Sequence, residues 1–139
     1  MQTITEELLL KLKNASDIEA FFKAERKNFI NITQSEYLNQ MLEKYNLKIS
    51  DVAKNSGAGE YVYKVFRGDR TASRDVLIAI CFGMGLTLEE TQLLLKISKF
   101  SHLYSRNQRD SIIIYALTHK MSVFELDDML DKKNLDTIN

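Results

Sequence analysis

The sequence predicts an all-α protein, and three observations indicate this fold class. First, Ser or Thr is followed three residues later by Glu or Gln at six places, the spacing of a helical capping box. Second, the apolar residues after each of these places recur at intervals of three and four, as one face of a helix requires. Third, proline is absent and no segment alternates convincingly between apolar and polar residues, as a half-buried strand would.

The capping pairs give the helix starts, and the apolar spacing gives the helix lengths. The six pairs are Thr3/Glu6, Ser16/Glu19, Thr33/Glu36, Thr87/Glu90, Ser105/Gln108 and Ser122/Glu125. The predicted helices cover residues 4–13, 16–29, 34–45, 49–55, 59–67, 73–84, 88–98, 106–119 and 122–132. The run 112–115 is β-prone by itself, but Leu117 continues its helical stripe, which favours a helix there.

Composition sets limits on function. The chain has 139 residues, of which 45% are hydrophobic, enough for a core without disulfides or metal. With 19 basic and 19 acidic residues the net charge is zero, so any attraction for nucleic acid must come from a local patch. Cys81, the single cysteine, lies in the apolar run 76–86 and is expected to be a buried, small apolar residue.

The same features predict where the protein is found. A lone cysteine suits a reducing compartment. The run 76–86 is shorter than the ~20 residues that cross a bilayer, and residues 1–7 lack the pattern of a signal peptide. We therefore expect a cytoplasmic protein without a membrane partner.

The chain is predicted to have three parts. Residues 1–32 form a helical arm, residues 33–98 form a core of five short helices, and residues 99–139 form an extension that packs on the core or on a second subunit. In the core, the turn 55–59 contains two glycines able to adopt positive φ, and Gly83 and Gly85 are predicted to end the helix that starts near residue 73.

Five stretches of the core carry a family resemblance, namely 47–53, 56–57, 62–68, 73–77 and 85–90. Through them the chain resembles, over about 35 to 86, the lambda-repressor-like helix-turn-helix family in its Cro/repressor (Xre-like) form. It implies a bacterial-type transcriptional regulator in which the second of two paired helices enters the major groove of double-stranded DNA. It also makes a homodimer a possible state, since such cores usually pair to read two half-sites.

Carried over position by position, the resemblance implies two sets of DNA-contacting residues. Those expected to face the bases are Gly59, Glu60, Tyr61 and Lys64. Those expected to contact phosphates are Lys54, Arg67, Arg70 and Arg74. A basic stretch from Lys96 to Arg109 either extends the phosphate contacts or meets the acidic stretch 125–136.

Several residues depart from the family pattern. Ile49 opens the first paired helix where a polar residue is common, and Glu60 places a carboxylate where the groove is anionic. These departures favour a second hypothesis, in which the same fold is a protein-interaction module without sequence-specific DNA binding. Tyr61 and Tyr63 are also interpretable as packing residues, and Arg74 as an ion-pair partner of Asp75 or Glu89.

Catalysis is not predicted. His102 and His119 are separated by a predicted helix, and no Cys/His cluster has zinc-ligand spacing. The Gly83-Met84-Gly85 segment lacks the rest of a nucleotide-binding fingerprint. We expect neither an enzyme nor a cofactor or metal site.

Overall fold

A computed structural model of the protein describes residues 3–25 and 32–139. Every regular element in these ranges is an α-helix, which confirms the predicted all-α class. The chain divides into two compact units, residues 1–31 and residues 32–139. Within the described ranges, each helix is too short or too polar to cross a membrane.

The first unit contains α1 (Ile4–Asn14) and α2 (Ile18–Ala24). The predicted capping box starts α1: Glu6 N–H donates to Thr3 Oγ1 over 3.0 Å, and Thr3 N–H donates to the Glu6 carboxylate over 2.9 Å. The Ser16/Glu19 prediction is wrong, because the Asp17 carboxylate accepts from Glu19 N–H and starts α2 at Ile18. The predicted end of this helix, at residue 29, lies outside the described residues.

The second unit contains the other helices of the described chain. They are α3 (Gln34–Lys44), α4 (Ile49–Ser56), α5 (Tyr61–Arg67), α6 (Arg74–Met84), α7 (Leu88–Ile97), α8 (Gln108–Thr118) and α9 (Val123–Lys132).

The predicted helix starts in this unit are mostly confirmed. Complete capping boxes start α7 at Thr87/Glu90 and α9 at Ser122/Glu125. Thr33 caps α3, but Glu36 accepts from the Thr33 hydroxyl rather than from its backbone N–H. The Ser105/Gln108 pair is not used, because the Asn107 side-chain oxygen accepts from Asp110 N–H over 2.9 Å and delays the start of α8.

Helix α6 is the centre of the second unit. Leu77, Ile80 and Cys81 pack with α3, α4, α5 and α7, whereas Ile78 and Ala79 pack with α7, α8 and α9. A helix that is apolar around its whole circumference is stable only when it is buried on all sides. Cys81 is fully buried, as predicted, and burial raises the pKa of its thiol to about 12.

The two glycines near the end of α6 have different roles, which corrects the prediction that both end the helix. Gly85 adopts φ +68° and ends α6. Gly83 lies inside the helix, and a Cβ built on it would lie 2.9 Å from both Ser56 N and Val52 O, which are backbone atoms of α4. The missing side chain at residue 83 therefore lets α6 and α4 come into backbone contact.

A polar contact joins α3 to the start of α7. The Glu90 carboxylate accepts from Lys44 Nζ over 2.9 Å, from the Tyr45 hydroxyl over 2.6 Å and from Thr87 N–H over 2.9 Å. Desolvation alone would raise the pKa of Glu90, but these hydrogen bonds outweigh it and lower the pKa from 4.5 to about 2. The ionised carboxylate is therefore the form that stabilises this contact.

We expect the Glu90 contact to make stability depend on acid pH. A carboxylate with a lowered pKa stabilises the fold fully above its unfolded value, and this stabilisation is lost as pH falls from about 4.5 towards 2. Glu90→Gln keeps a residue suited to the capping box but removes the charge, so it should reduce the free energy of unfolding at neutral pH by about 1–2 kcal/mol. Urea unfolding between pH 7 and pH 3 measures both effects.

Glu89→Gln is the matched control. Glu89 is an exposed acid in the same first turn of α7. Its substitution should change stability by less than about 0.5 kcal/mol and leave the acid-pH profile as in the parent chain. Equal profiles for the two variants would contradict the role given to Glu90.

Candidate nucleic-acid interface

Helices α4 and α5 are joined by a tight turn that depends on two glycines. Gly57 adopts φ +72° and ends α4, and Gly59 adopts φ +61°, as the sequence predicted for this turn. The buried Ser56 side chain strengthens the turn, since its hydroxyl donates to Ala53 O over 3.1 Å and accepts from Ala58 N–H over 3.2 Å. Because Gly59 has a left-handed backbone, α5 begins at Tyr61 rather than at the predicted residue 59.

The inner sides of α4 and α5 share one hydrophobic cluster with α6. Its buried members include Val52, Ala53, Val62, Val65, Leu77 and Ile80. Ile49 also packs against this cluster, which gives a physical reason for an apolar residue at the start of α4.

The outer side of the same helices is polar. We define the α4–α5 surface by six of the exposed residues of α4, the turn, α5 and the loop that follows, namely Lys54, Gly59, Glu60, Lys64, Arg67 and Arg70. The acidic residues Asp51 and Asp69 are exposed in the same segment. Lys64 and Arg67 are three residues apart on α5 and therefore share one face. All but two of the candidate residues, Tyr61 and Arg74, thus lie on this surface.

Lys48 is a basic residue that the sequence prediction omitted. It is exposed and occupies the N-cap position of α4 without making a side-chain capping bond. Its place directly before α4, eight residues ahead of the helix-ending Ser56, was the available signal.

Among the described residues, the one ion pair on the α4–α5 surface is weak. Arg67 Nε lies 3.0 Å from Asp69 Oδ2, and both side chains are 60% exposed. Such pairs contribute little, since water and salt screen both charges. Lys54, Lys64 and Arg70 form no salt bridge within the part of the chain that the structure describes.

Tyr61 is held by the fold. Its ring is partly buried against the hydrophobic cluster, and its hydroxyl donates to Thr71 O over 3.2 Å. Tyr63 packs partly buried against the same cluster. These contacts account for both tyrosines as packing residues, the alternative that the sequence left open.

Arg67, at the end of α5, and Arg70, in the loop that follows, lie on a segment that is fixed to α3 at two points. The Gln34 side chain accepts from Ala72 N–H over 2.8 Å and donates to Ala72 O over 3.4 Å. The Asn39 amide donates to Phe66 O over 2.8 Å. These side-chain bonds hold the loop backbone in place, so the two arginines project from a fixed backbone.

Arg74, predicted to contact phosphate, instead forms an ion pair and hydrogen bonds within the protein. Its Nη2 lies 3.0 Å from Asp110 Oδ2, and its guanidinium also donates to the carbonyls of Ser101 and His102. Asp110 is buried and accepts from Tyr104 N–H as well. Arg74 is therefore set apart from the exposed cations, and its partner is Asp110 rather than Asp75 or Glu89.

Arg109, at the end of the basic stretch, also forms an ion pair and hydrogen bonds within the protein. Its guanidinium donates to both Asp75 carboxylate oxygens over 3.0 and 3.1 Å, and to the carbonyls of Asp136 and Thr137. It thus reaches the backbone of the acidic C-terminal stretch rather than its side chains. Lys96, Lys99 and Arg106 remain exposed.

Residues 138–139 lie against the turn between α4 and α5. The Asp127 carboxylate accepts from the backbone N–H groups of Ile138 and Asn139, and Asn139 Nδ2 donates to Ser56 O over 3.1 Å. Phe124, which is 52% exposed, lies beside Gly57. The surface next to the turn is therefore partly apolar.

The described residues show no arrangement suited to metal binding. His119 is the C-cap residue of α8 and stacks on Tyr115, with ring centres 4.0 Å apart, and His102 is exposed beside Tyr104. What the fold presents to solvent near α5 is instead a set of cations on rigid backbone. The chain matches no known family model, no curated protein and no solved structure.

Proposed function

We propose that this protein binds double-stranded DNA as a transcriptional regulator, with α4 and α5 as a helix-turn-helix of the repressor type. One observation carries the proposal: Lys54, Lys64, Arg67 and Arg70 are exposed around α5, while Arg74 and Arg109 are bound internally. Residues 48–70 hold five basic and three acidic side chains in a chain of zero net charge. This local excess supplies the phosphate attraction that the whole chain lacks.

The shape of the site supports the same function. Helix α5 is seven residues, or about 10 Å, long. An α-helix with its side chains is about 10–12 Å in diameter, so it can enter a major groove about 12 Å wide. In this arrangement Gly59, Glu60 and Lys64 face the bases, and Lys54, Arg67 and Arg70 contact phosphates. The Glu60 carboxylate would accept from a cytosine amino group, the donor that the major groove offers to an acid.

The expected result is salt-dependent binding to duplex DNA of any sequence. If about four cations contact phosphates, log affinity should fall against log salt with a slope of roughly −3 to −4 per subunit. Removing two of them in Arg67→Ala/Arg70→Ala should weaken binding and flatten the slope by about 2. Fluorescence anisotropy with random-sequence duplexes at several salt concentrations measures both quantities.

The matched control is Lys132→Ala/Lys133→Ala, which removes two exposed cations at the end of α9. This variant should keep the slope of the parent chain, since the same change in net charge is made outside the α4–α5 surface. Equal slopes for the two double variants would place the DNA elsewhere. Absence of binding at low salt and tens of micromolar protein would exclude the regulator function.

A second function, docking of a protein partner on the same surface, is favoured by the exposed Phe124 ring beside Gly57. Large exposed aromatic residues are frequent at the centres of protein interfaces. Under this alternative Phe124→Ala weakens partner binding. The parent chain then has no measurable affinity for DNA, so Arg67→Ala/Arg70→Ala does not change DNA binding.

A further inference from the structure

Helix α1 carries several exposed apolar residues. None of the described residues of α1 is buried, and the side chains of Leu9 and Leu10 are 51% and 50% exposed. Ile4 and Leu12 are exposed as well. An isolated helix of this length is marginal in water, so burial of its exposed apolar residues would stabilise α1.

The contacts with α2 define which side of α1 faces outward. Leu8 is partly buried, and Lys11 Nζ lies 3.1 Å from the Glu25 carboxylate at the end of α2. On the other side lie four exposed residues at spacings of three, four and seven, which therefore share one face: Glu6, Leu9, Leu10 and Lys13. We call these four residues the α1 face.

The α1 face is self-complementary when it is reversed. It reads acid, leucine, leucine, base from its N-terminal end, so an antiparallel copy places Glu6 opposite Lys13 and Leu9 opposite Leu10. A two-fold interface requires this kind of match, because each residue meets its counterpart in the reverse order. Antiparallel packing also aligns the two helix dipoles favourably.

We propose that the α1 face pairs with the α1 face of a second copy of this chain, antiparallel and about a two-fold axis between Leu9 and Leu10. The two α1–α2 pairs together then provide four helices, the number found in a four-helix bundle. The charge pattern favours a second copy over an unrelated partner, since the face complements itself at both ends. This proposal does not depend on DNA binding.

The first test is self-association of the full-length chain, measured by sedimentation equilibrium from micromolar to hundreds of micromolar. The parent chain should dimerise, and Leu9→Glu/Leu10→Glu should weaken dimerisation at least about tenfold. Lys13→Glu, which places a carboxylate opposite Glu6 and leaves the leucines unchanged, should weaken it mainly at low salt. Leu93→Glu, at a leucine of the second unit that is 40% exposed, is the control and should leave it unchanged.

A second test fixes the direction of pairing by cross-linking. Cys81 is fully buried, so a cysteine placed on α1 is the only accessible thiol of the chain. In the antiparallel pair, two copies of residue 13 lie about 10 Å apart along the helix axis, beyond the ~7 Å that a disulfide spans. A mixture of Glu6→Cys and Lys13→Cys chains should therefore cross-link under mild oxidation, and Lys13→Cys alone should not.

Three results would overturn antiparallel pairing of the α1 face. A monomer at hundreds of micromolar, or a dimer that Leu9→Glu/Leu10→Glu and Leu93→Glu affect equally, overturns the proposal. Cross-linking of Lys13→Cys with itself indicates a parallel pair and also overturns it. Unchanged far-ultraviolet circular dichroism in each variant shows that lost association is not lost folding.

Discussion

Arg74→Ala is expected to reduce the free energy of unfolding by about 3 kcal/mol, because it leaves the buried Asp110 carboxylate without its cation. The Arg74 side chain is 21% exposed and that of Asp110 is 10% exposed, so water replaces the lost partner poorly. The carbonyls of Ser101 and His102 lose a donor in the same variant. Thermal unfolding should show a decrease in Tm of about 10 °C.

Arg67→Ala is the control for Arg74→Ala. Both arginines form an ion pair of 3.0 Å, but Arg67 and Asp69 are each 60% exposed. Arg67→Ala should therefore change stability by less than about 1 kcal/mol. Similar losses for the two variants would show that burial does not determine the contribution of these pairs. Arg74→Lys keeps the charge but loses the bidentate donor geometry of arginine. Its loss of stability should therefore lie between those of Arg67→Ala and Arg74→Ala.

The helices were predictable because their signals are local. A capping box needs two residues three positions apart, and at Thr3, Thr87 and Ser122 both hydrogen bonds of the box are present. Where a competing cap stood one or two residues later, as at Asp17 and Asn107, the prediction was wrong. Asp and Asn cap helices as well as Ser does, so spacing alone could not decide between neighbouring candidates.

The site was less predictable because contacts between residues distant in sequence decide which of its charged side chains are paired and which are exposed. Arg74 and Asp110 are 36 residues apart, and nothing local distinguishes Arg74 from Arg70. The packing of α8 and α9 against α6 places Asp110 beside Arg74 and Arg109 beside Asp75. Which cations remain exposed therefore depends on tertiary structure, whereas the turn glycines before α5 could be recognised from the sequence.

Gly83→Ala should destabilise the protein by about 2 kcal/mol or more, although alanine is the better helix former. In an open helix this substitution would stabilise by about 1 kcal/mol. At residue 83 the new Cβ would lie 2.9 Å from Ser56 N and Val52 O and 3.0 Å from Ser56 Cβ, so α4 would have to move away from α6. Urea unfolding of the variant measures the sign and size of the change.

Gly85→Ala separates steric contact from backbone strain. Gly85 adopts φ +68° and has no atom within 4 Å of a built Cβ, so its substitution should cost only the strain of a left-handed alanine, about 1 kcal/mol. Gly83→Ala should cost more and, by displacing α4, should also weaken DNA binding if α4 and α5 form the DNA-binding site. A stabilised Gly83→Ala variant would show that α4 and α6 are not in backbone contact.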